Sequence, residues 1–227
     1  MLEIYIGFDP AERRAWDICA KSIIKHASFP PSIHPIGIQT LDKNYRRKTE
    51  NRNGQLWDCI SNAPMATEFA LARFFVPFVS NSNICLFVDC DFMFRSDVFE
   101  LIDYIDSSKA ISVVKHEHHP KDKIKMDGQI QTDYERKNWS SLMLFNMTHA
   151  KSKAMTMEYA NEKKGLWLHQ FKWLKDEQIG EIPKEWNHLV GVDKRNPEAK
   201  GVHFTLATPD VPGNEKCEFS KEWREFL

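Results

Sequence analysis

The chain opens on a short apolar run, residues 2–8 ("LEIYIGF"), which the Asp9-Pro10 pair interrupts. A run of that length ended by a breaker predicts a strand. Ala15, Ile18, Cys19, Ser22, Ile23 and Ala27 follow at helical spacing, and residues 32–38 read as a second strand between prolines. This βαβ opening predicts an α/β fold with a mostly parallel, doubly wound sheet. Residues 42–62 are polar, basic and aperiodic. They predict a structureless segment, functional or mobile as long irregular loops in compact domains usually are; its run 46–52 ("RRKTENR") reads as a solvated loop or as a lid.

Residues 65–77 ("MATEFALARFFVP") predict a helix that Pro77 stops. The apolar run 84–94 predicts a strand, 97–105 a helix and 110–116 another strand. A polar loop over 116–137 leads to a strand at 141–146. Beyond it the pattern gives a helix over 149–163, a Trp-rich stretch at 166–174, short strands near 179–182 and 201–205, and a terminal helix over 219–227.

The 227 residues, 42% hydrophobic and 28% charged, suit one globular domain, 1–227. A net charge of −1 gives no bulk reason for nucleic-acid or anionic-membrane binding. Five scattered cysteines without a Cys-x-x-Cys pair read as reduced thiols of a cytoplasmic protein. Neither a leader nor the ~18-residue apolar run of a membrane span is expected. The Asn-x-Ser/Thr matches at Asn138 and Asn146 read as chance.

The run 84–94, "ICLFVDCDFMF", carries two carboxylates one residue apart in a stretch apolar enough for the centre of a sheet. On a strand, Asp89 and Asp91 point to the same side and Cys90 to the other. They sit at the C-terminal end of the run, the edge at which open α/β sheets bind ligands. Carboxylates that close repel each other unless a cation lies between them. A divalent ion with oxygen ligands, Mg²⁺ or Mn²⁺, answers that and leaves positions for a phosphate. On this reading the charges strain the metal-free fold, so replacing either Asp by Asn leaves that fold unharmed. The alternative is a helix cap or pairing with Arg95 and surface lysines.

"FVDCDFMF" resembles the Asp-x-Asp element of GT-A glycosyltransferases, and further segments are similar to the family 8 branch in the same order. "YIGFDPAERRAWDICAKS" resembles that branch's first strand and helix, and "ATEFALARFFVPF" its Arg-bearing helix. "NWSSLMLFN" stands in the place of its Asn-Ala-Gly strand, and "VHFTLATP" resembles its late His segment. The resemblance implies a single GT-A-like domain, with a nucleotide-binding half (1–115) and an acceptor-side half (116–227). It implies transfer of a hexose from a nucleotide sugar, UDP-hexose first, to a carbohydrate or other hydroxyl acceptor, with retention. Asp89, Asp91 and His203 would hold Mn²⁺ (or Mg²⁺), the nitrogen ligand favouring Mn²⁺. Phe8, Asp9, Arg13, Arg73, Asp89, Cys90, Ser140 and Ser141 would line the donor. Gln170 would be the catalytic group on the far face of the sugar; a small shift in alignment moves that role to Asp176 or Gln178.

Several of these residues admit a plainer reading. Asp9 either meets the nucleoside or caps the following helix. Arg73 either meets donor oxygens or sits in a buried salt bridge. His203 is a ligand or a core histidine. The chain departs from the family where its late Gly and Lys become Leu206 and Pro209, leaving Arg13, Lys200 and Lys216 as cations for the diphosphate. "KHEHHP" (115–120) could bind zinc through His116 and His118, or an acceptor, or be a solvated strand end. Trp167, Trp173 and Trp186 either stack on acceptor sugars or pack the core. A haloacid-dehalogenase-type phosphatase and a non-catalytic nucleotide- or glycan-binding module are the rival functions.

Overall fold

The computed structural model describes residues 2–117 and 135–227. Its strands, in chain order, are β1 (Leu2–Gly7), β2 (Ser32–Ile36), β3 (Thr49–Arg52), β4 (Gln55–Asp58), β5 (Ala63–Pro64) and β6 (Ile84–Val88). They continue with β7 (Phe92–Phe94), β8 (Ile111–Val113), β9 (Leu142–Asn146), β10 (Ile179–Glu181), β11 (His188–Leu189) and β12 (Gly201–His203). The central sheet runs β10-β8-β9-β6-β1-β2. β1 is parallel to β2 and to β6, and β10 to β8, while β9 lies antiparallel between β6 and β8. The expected α/β fold with a mostly parallel sheet is therefore present.

Strands buried on both faces need apolar residues at successive positions rather than alternation. Leu86, Phe87 and Val88 of β6 and Leu142, Met143 and Leu144 of β9 meet that requirement and are all 0% exposed. The first helix, α1 (Arg13–His26), packs through Ala15, Ile18, Cys19, Ala20, Ser22 and Ile23. One consequence of the topology matters for function. The C-terminal ends of the five mutually parallel strands and the start of β9 share one edge of the sheet.

Three sequence expectations change. Residues 42–62 are not structureless: they form the antiparallel sheet β3-β4-β5. Arg47 is fixed there on Asp58 at 2.6 Å, with side chains 0% and 1% exposed, and also donates to the carbonyls of Ala160 and Lys163. A lid built on that sheet would have to break a buried, fully hydrogen-bonded pair. Pro77 does not stop a long helix; it sits in the first turn of the helix Val76–Val79, where its missing N–H costs nothing. The segment before it is tight turns, with Arg73 in the short helix Ala72–Phe75. The helix expected over 149–163 is confined to Ser152–Ala154 and Met157–Glu162. Asn146, whose Asn-x-Thr match read as chance, is buried in keeping with that reading, its amide donating to the carbonyls of Asp106 and Lys109.

Candidate active site

The Asp89-Cys90-Asp91 segment is a turn, not a strand. β6 ends at Val88, and the turn leads into β7. The two carboxylates converge because both ends of the turn are tied down, not because of strand pleating. Asp89 N–H donates to the Ser141 carbonyl (2.9 Å), and Phe204 N–H donates to the Asp91 carbonyl (2.9 Å). Asp91 thereby faces His203, whose Nε2 lies 3.3 Å from Asp91 Oδ1. Asp89, Asp91 and His203 each place one ligand atom within 4.8 Å of the others, and no other group of His, Cys, Asp or Glu does this among the described residues. The donor set, two carboxylate oxygens and one imidazole nitrogen, fits a divalent ion of the Mn²⁺ type.

His203 is held on several sides. Its ring stacks on Phe92 with centroids 4.4 Å apart, and Nδ1 lies 2.9 Å from Asn187 Oδ1. Asn187, 0% exposed, ends the short helix Lys184–Asn187, and its Nδ2 donates to Ser141 Oγ at 2.8 Å. Gly201 makes that approach possible, since a Cβ there would lie 2.2 Å from the Trp186 carbonyl oxygen.

Arg73 meets one of the carboxylates directly. Its Nη1 is 2.8 Å from Asp89 Oδ1 and donates to the Ser140 carbonyl, while Nε donates to the Ala70 carbonyl. Its guanidinium also lies over the Phe87 ring at 4.9 Å. The salt-bridge reading of Arg73 is thus present, and the partner belongs to the candidate metal site. Burial pushes the Asp89 carboxyl up to about 6; Arg73 opposes the shift and Asp91 adds to it.

The remaining expected residues fall around this centre unevenly. Phe8 and Asp9 end β1 on the same edge. Asp9 accepts from Ala11 N–H and Glu68 N–H, so its carboxylate caps the turn Pro10–Glu12 and ties in the 65–70 segment. Cys90 turns away as expected: its buried thiol donates to Glu12 Oε2 at 2.9 Å. Ser140 Oγ lies 2.8 Å from His169 Nδ1, and burial with the positive charges of Arg73 and Arg47 pushes His169 down to about 3. His169 ends the helix Gly165–His169 and brings the neighbouring Gln170 to this edge. Gln178, by contrast, offers its carbonyl to Ala110 N–H, just before β8, and so sits at the opposite edge of the sheet.

Arg13 is not at the centre; it pairs with Asp17 on the exposed side of α1. Lys200 pairs with Glu100, and Lys216 lines a separate cleft of about 770 Å³ with Arg95, Arg195 and Glu218. Trp186 is fully buried in the core and cannot stack on an acceptor; Trp167 and Trp173 are partly buried, with centroids 5.8 Å apart. His118 of the suggested zinc pair lies outside the described residues.

Sequence reasoning missed Glu12 and Asn187. Burial, with Asp91, Asp9 and Asp89 nearby, pushes Glu12 up to about 7, against the Cys90 thiol that donates to it. Its only signal was its place three residues after Asp9, within the first turn; Asn187, between short strands, had none.

Over 228 residues the chain is 41% identical to Protein CDI of Arabidopsis thaliana, covering 97% of this chain and 83% of that one. The chain belongs to the Protein CDI family. No family model matches it. Among solved structures its fold is similar to WbbM, a bifunctional glycosyltransferase (TM-score 0.66, 16% identity), of which it spans 49% while 99% of this chain is covered. The glycosyltransferase GlyE of Streptococcus pneumoniae gives 0.59 at 14%, covering 100% of this chain and 60% of that one. LgtC, a galactosyltransferase solved with donor and acceptor sugar analogs, gives 0.60 at 14%, covering 100% and 95%. This member of the Protein CDI family thus has the fold of solved glycosyltransferases. No helix among the described residues is long and apolar enough to cross a membrane.

Proposed function

We propose that the protein is a metal-dependent glycosyltransferase of family 8 character, moving a hexose from a nucleotide sugar, UDP-hexose first, to a hydroxyl acceptor with retention. The observation that carries this reading is the Asp89-Asp91-His203 group at the C-terminal edge of β6, in a fold shared with glycosyltransferases. Asp89, Asp91 and His203 would hold a divalent ion, which would supply the Lewis acidity that offsets negative charge on a departing UDP. Phe8 and Asp9, ending β1 on the same edge, are suited to the nucleoside. Arg73 keeps Asp89 in place and neutralises part of its charge before the donor arrives.

Ser140 and Ser141 end the short helix Trp139–Ser141 just before β9, beside the carboxylates, and would shape the sugar pocket. Gln170 is proposed for the far face of the sugar. The Ser140–His169 contact supports it over Gln178, which lies at the opposite edge. The two halves, 1–115 for the nucleotide and 116–227 for the acceptor, are part of the same proposal. The phosphatase alternative loses ground, because the aspartates follow β6 in the middle of the sheet rather than the first strand.

Hydrolysis of UDP-, GDP- and TDP-sugars by the purified protein, with Mn²⁺ and with EDTA, tests the proposal. Metal-dependent release of UDP from a UDP-hexose is expected. Nucleotide binding without turnover on any donor, across a panel of hydroxyl acceptors, would instead favour the binding module. Release of phosphate from simple phosphomonoesters would favour the phosphatase.

A further inference from the structure

We infer that Asn187 is a positioning residue that fixes the tautomer of His203, holding the proton on Nδ1 and turning the Nε2 lone pair toward Asp91 and Asp89. The inference rests on the metal reading of the site, but its chemistry can be followed without a metal.

The backbone carbonyl of Asn138 can only accept. Ser141 Oγ lies 2.7 Å from that oxygen, so the single hydroxyl proton of Ser141 is committed there. What remains on Ser141 Oγ is lone pairs, and the group on its other side must donate. That group is Asn187 at 2.8 Å, and the requirement places its Nδ2 against Ser141. A carboxamide carries its oxygen on the other arm, so Oδ1 faces His203 Nδ1 at 2.9 Å and can only accept. Nδ1 must then carry the proton. A neutral imidazole has one N–H, so Nε2 is left with its lone pair.

Rotation offers no escape. Asn187 is 0% exposed and His203 3%, the imidazole lies stacked on Phe92, and Gly201 lets the Asn187 helix pack directly on β12. The bare Nε2 stands 3.3 Å from Asp91 Oδ1, and two lone pairs at that distance repel unless a cation lies between them. Ser141 links both sides of the site. Its carbonyl fixes Asp89 N–H, and its hydroxyl fixes the amide that orients His203. Groups that orient a metal-binding histidine in this way are typically worth about 10–100-fold in metal affinity.

The test is a long-range ¹H–¹⁵N correlation spectrum of the metal-free, ¹⁵N-labelled protein at alkaline pH, where an ordinary imidazole is neutral. The His203 signals would be assigned by their absence in His203→Gln. The expected spectrum shows His203 protonated at Nδ1 alone. Asn187→Leu, close in size but unable to accept, should lose that single tautomer and bind Mn²⁺ about 10–100-fold more weakly, read by the electron paramagnetic resonance of free Mn²⁺. Asn187→Asp restores an acceptor facing Nδ1 and, with the Ser141 hydroxyl turned from the Asn138 carbonyl to the new carboxylate, should recover the tautomer. A parent spectrum with the proton on Nε2, or on both nitrogens, overturns the inference. So does Asn187→Leu with the parent's tautomer and affinity, and if that variant does not fold, the parent spectrum alone decides. A parent that binds no Mn²⁺ yet shows the Nδ1 tautomer would sink the metal reading and leave the role of Asn187 standing.

Discussion

Arg73 and Asp89 form an ion pair of 2.8 Å in which both side chains are almost out of water, 8% and 14% exposed. Asp91 faces the imidazole of His203, its Oδ1 3.3 Å from Nε2. The two aspartates of "VDCDF", alike in sequence, therefore stand in different electrostatic surroundings. The expectation that either can become Asn without harm to the metal-free fold applies to Asp91 and fails for Asp89.

In EDTA, Asp89→Asn should be less stable than Asp91→Asn, because it takes the carboxylate away from the buried guanidinium of Arg73. An Asn oxygen can still accept from Arg73, and the burial that raises the Asp89 carboxyl to about 6 no longer opposes a charge there, so the loss should be smaller than that of a fully broken buried pair. Asp91→Asn should be as stable as the parent or slightly more so, since it relieves repulsion with Asp89. Both should lose Mn²⁺ binding. Denaturant unfolding of the two variants in EDTA makes the comparison; equal stability would remove the distinction.

UDP should stabilise the protein in Mn²⁺ and do little in EDTA, because the diphosphate needs the ion held by Asp89, Asp91 and His203. A saturating ligand at a hundred times its Kd adds about 2.7 kcal/mol. In a domain of this length that corresponds to a rise in Tm of roughly 5–10 °C. An equal shift with and without metal would count against the site.

Much of this architecture was readable from pattern alone, and the failures have physical causes. β1, β2 and β6 were found because each is a short apolar run cut off by Pro, Asp or Ser. Asp89 and Asp91 were found because two carboxylates in such a run are costly without a cation. His203 came through resemblance, and the structure places it against Asp91. The 42–62 segment was misread because its one deep anchor, Arg47 on Asp58, looks in sequence like two more charges on a polar loop. Pro77 was misread because a proline that ends one helix and a proline that opens another are the same letter. Asn187 carries no signal at all: its role exists only once Ser141, just before β9, and His203 on β12 are brought to either side of it.

Arg47→Met should destabilise by roughly 3–5 kcal/mol, since it leaves Asp58 as an unpaired buried carboxylate. The damage should be global, because Arg47 also joins this sheet to the carbonyls of Ala160 and Lys163. In the parent, residues 42–62 should resist limited proteolysis with or without UDP and Mn²⁺. Cleavage confined to that segment and suppressed by UDP would reinstate the lid.

Glu12 makes the stability of the metal-free protein depend on pH in an unusual direction. Burial and the charges of Asp91, Asp9 and Asp89 push its carboxyl up to about 7, and Asp89 is raised to about 6. An unfolded glutamate titrates near ~4.3. Between these limits the native state binds more protons than the unfolded state, so stability falls as pH rises. The contribution is fully present below the ordinary carboxylate range and is lost as pH passes through the folded value. For Glu12 it amounts to about 4 kcal/mol at most. Groups with lowered values act in the opposite sense, Asp58 beside Arg47 at more acid pH and the buried His169 below about pH 6.5, so the Glu12 contribution is read as the difference between parent and Glu12→Gln. In EDTA the parent should lose stability between pH 5 and pH 8 relative to Glu12→Gln, which is neutral at every pH. Mn²⁺ should shrink that difference, because the ion offsets the negative charge that keeps Glu12 protonated. Denaturant midpoints at pH 5 and pH 8 for parent and Glu12→Gln decide it: if the two proteins show the same slope, Glu12 is ionised throughout and its carboxylate is a fourth fixed charge beside the metal site.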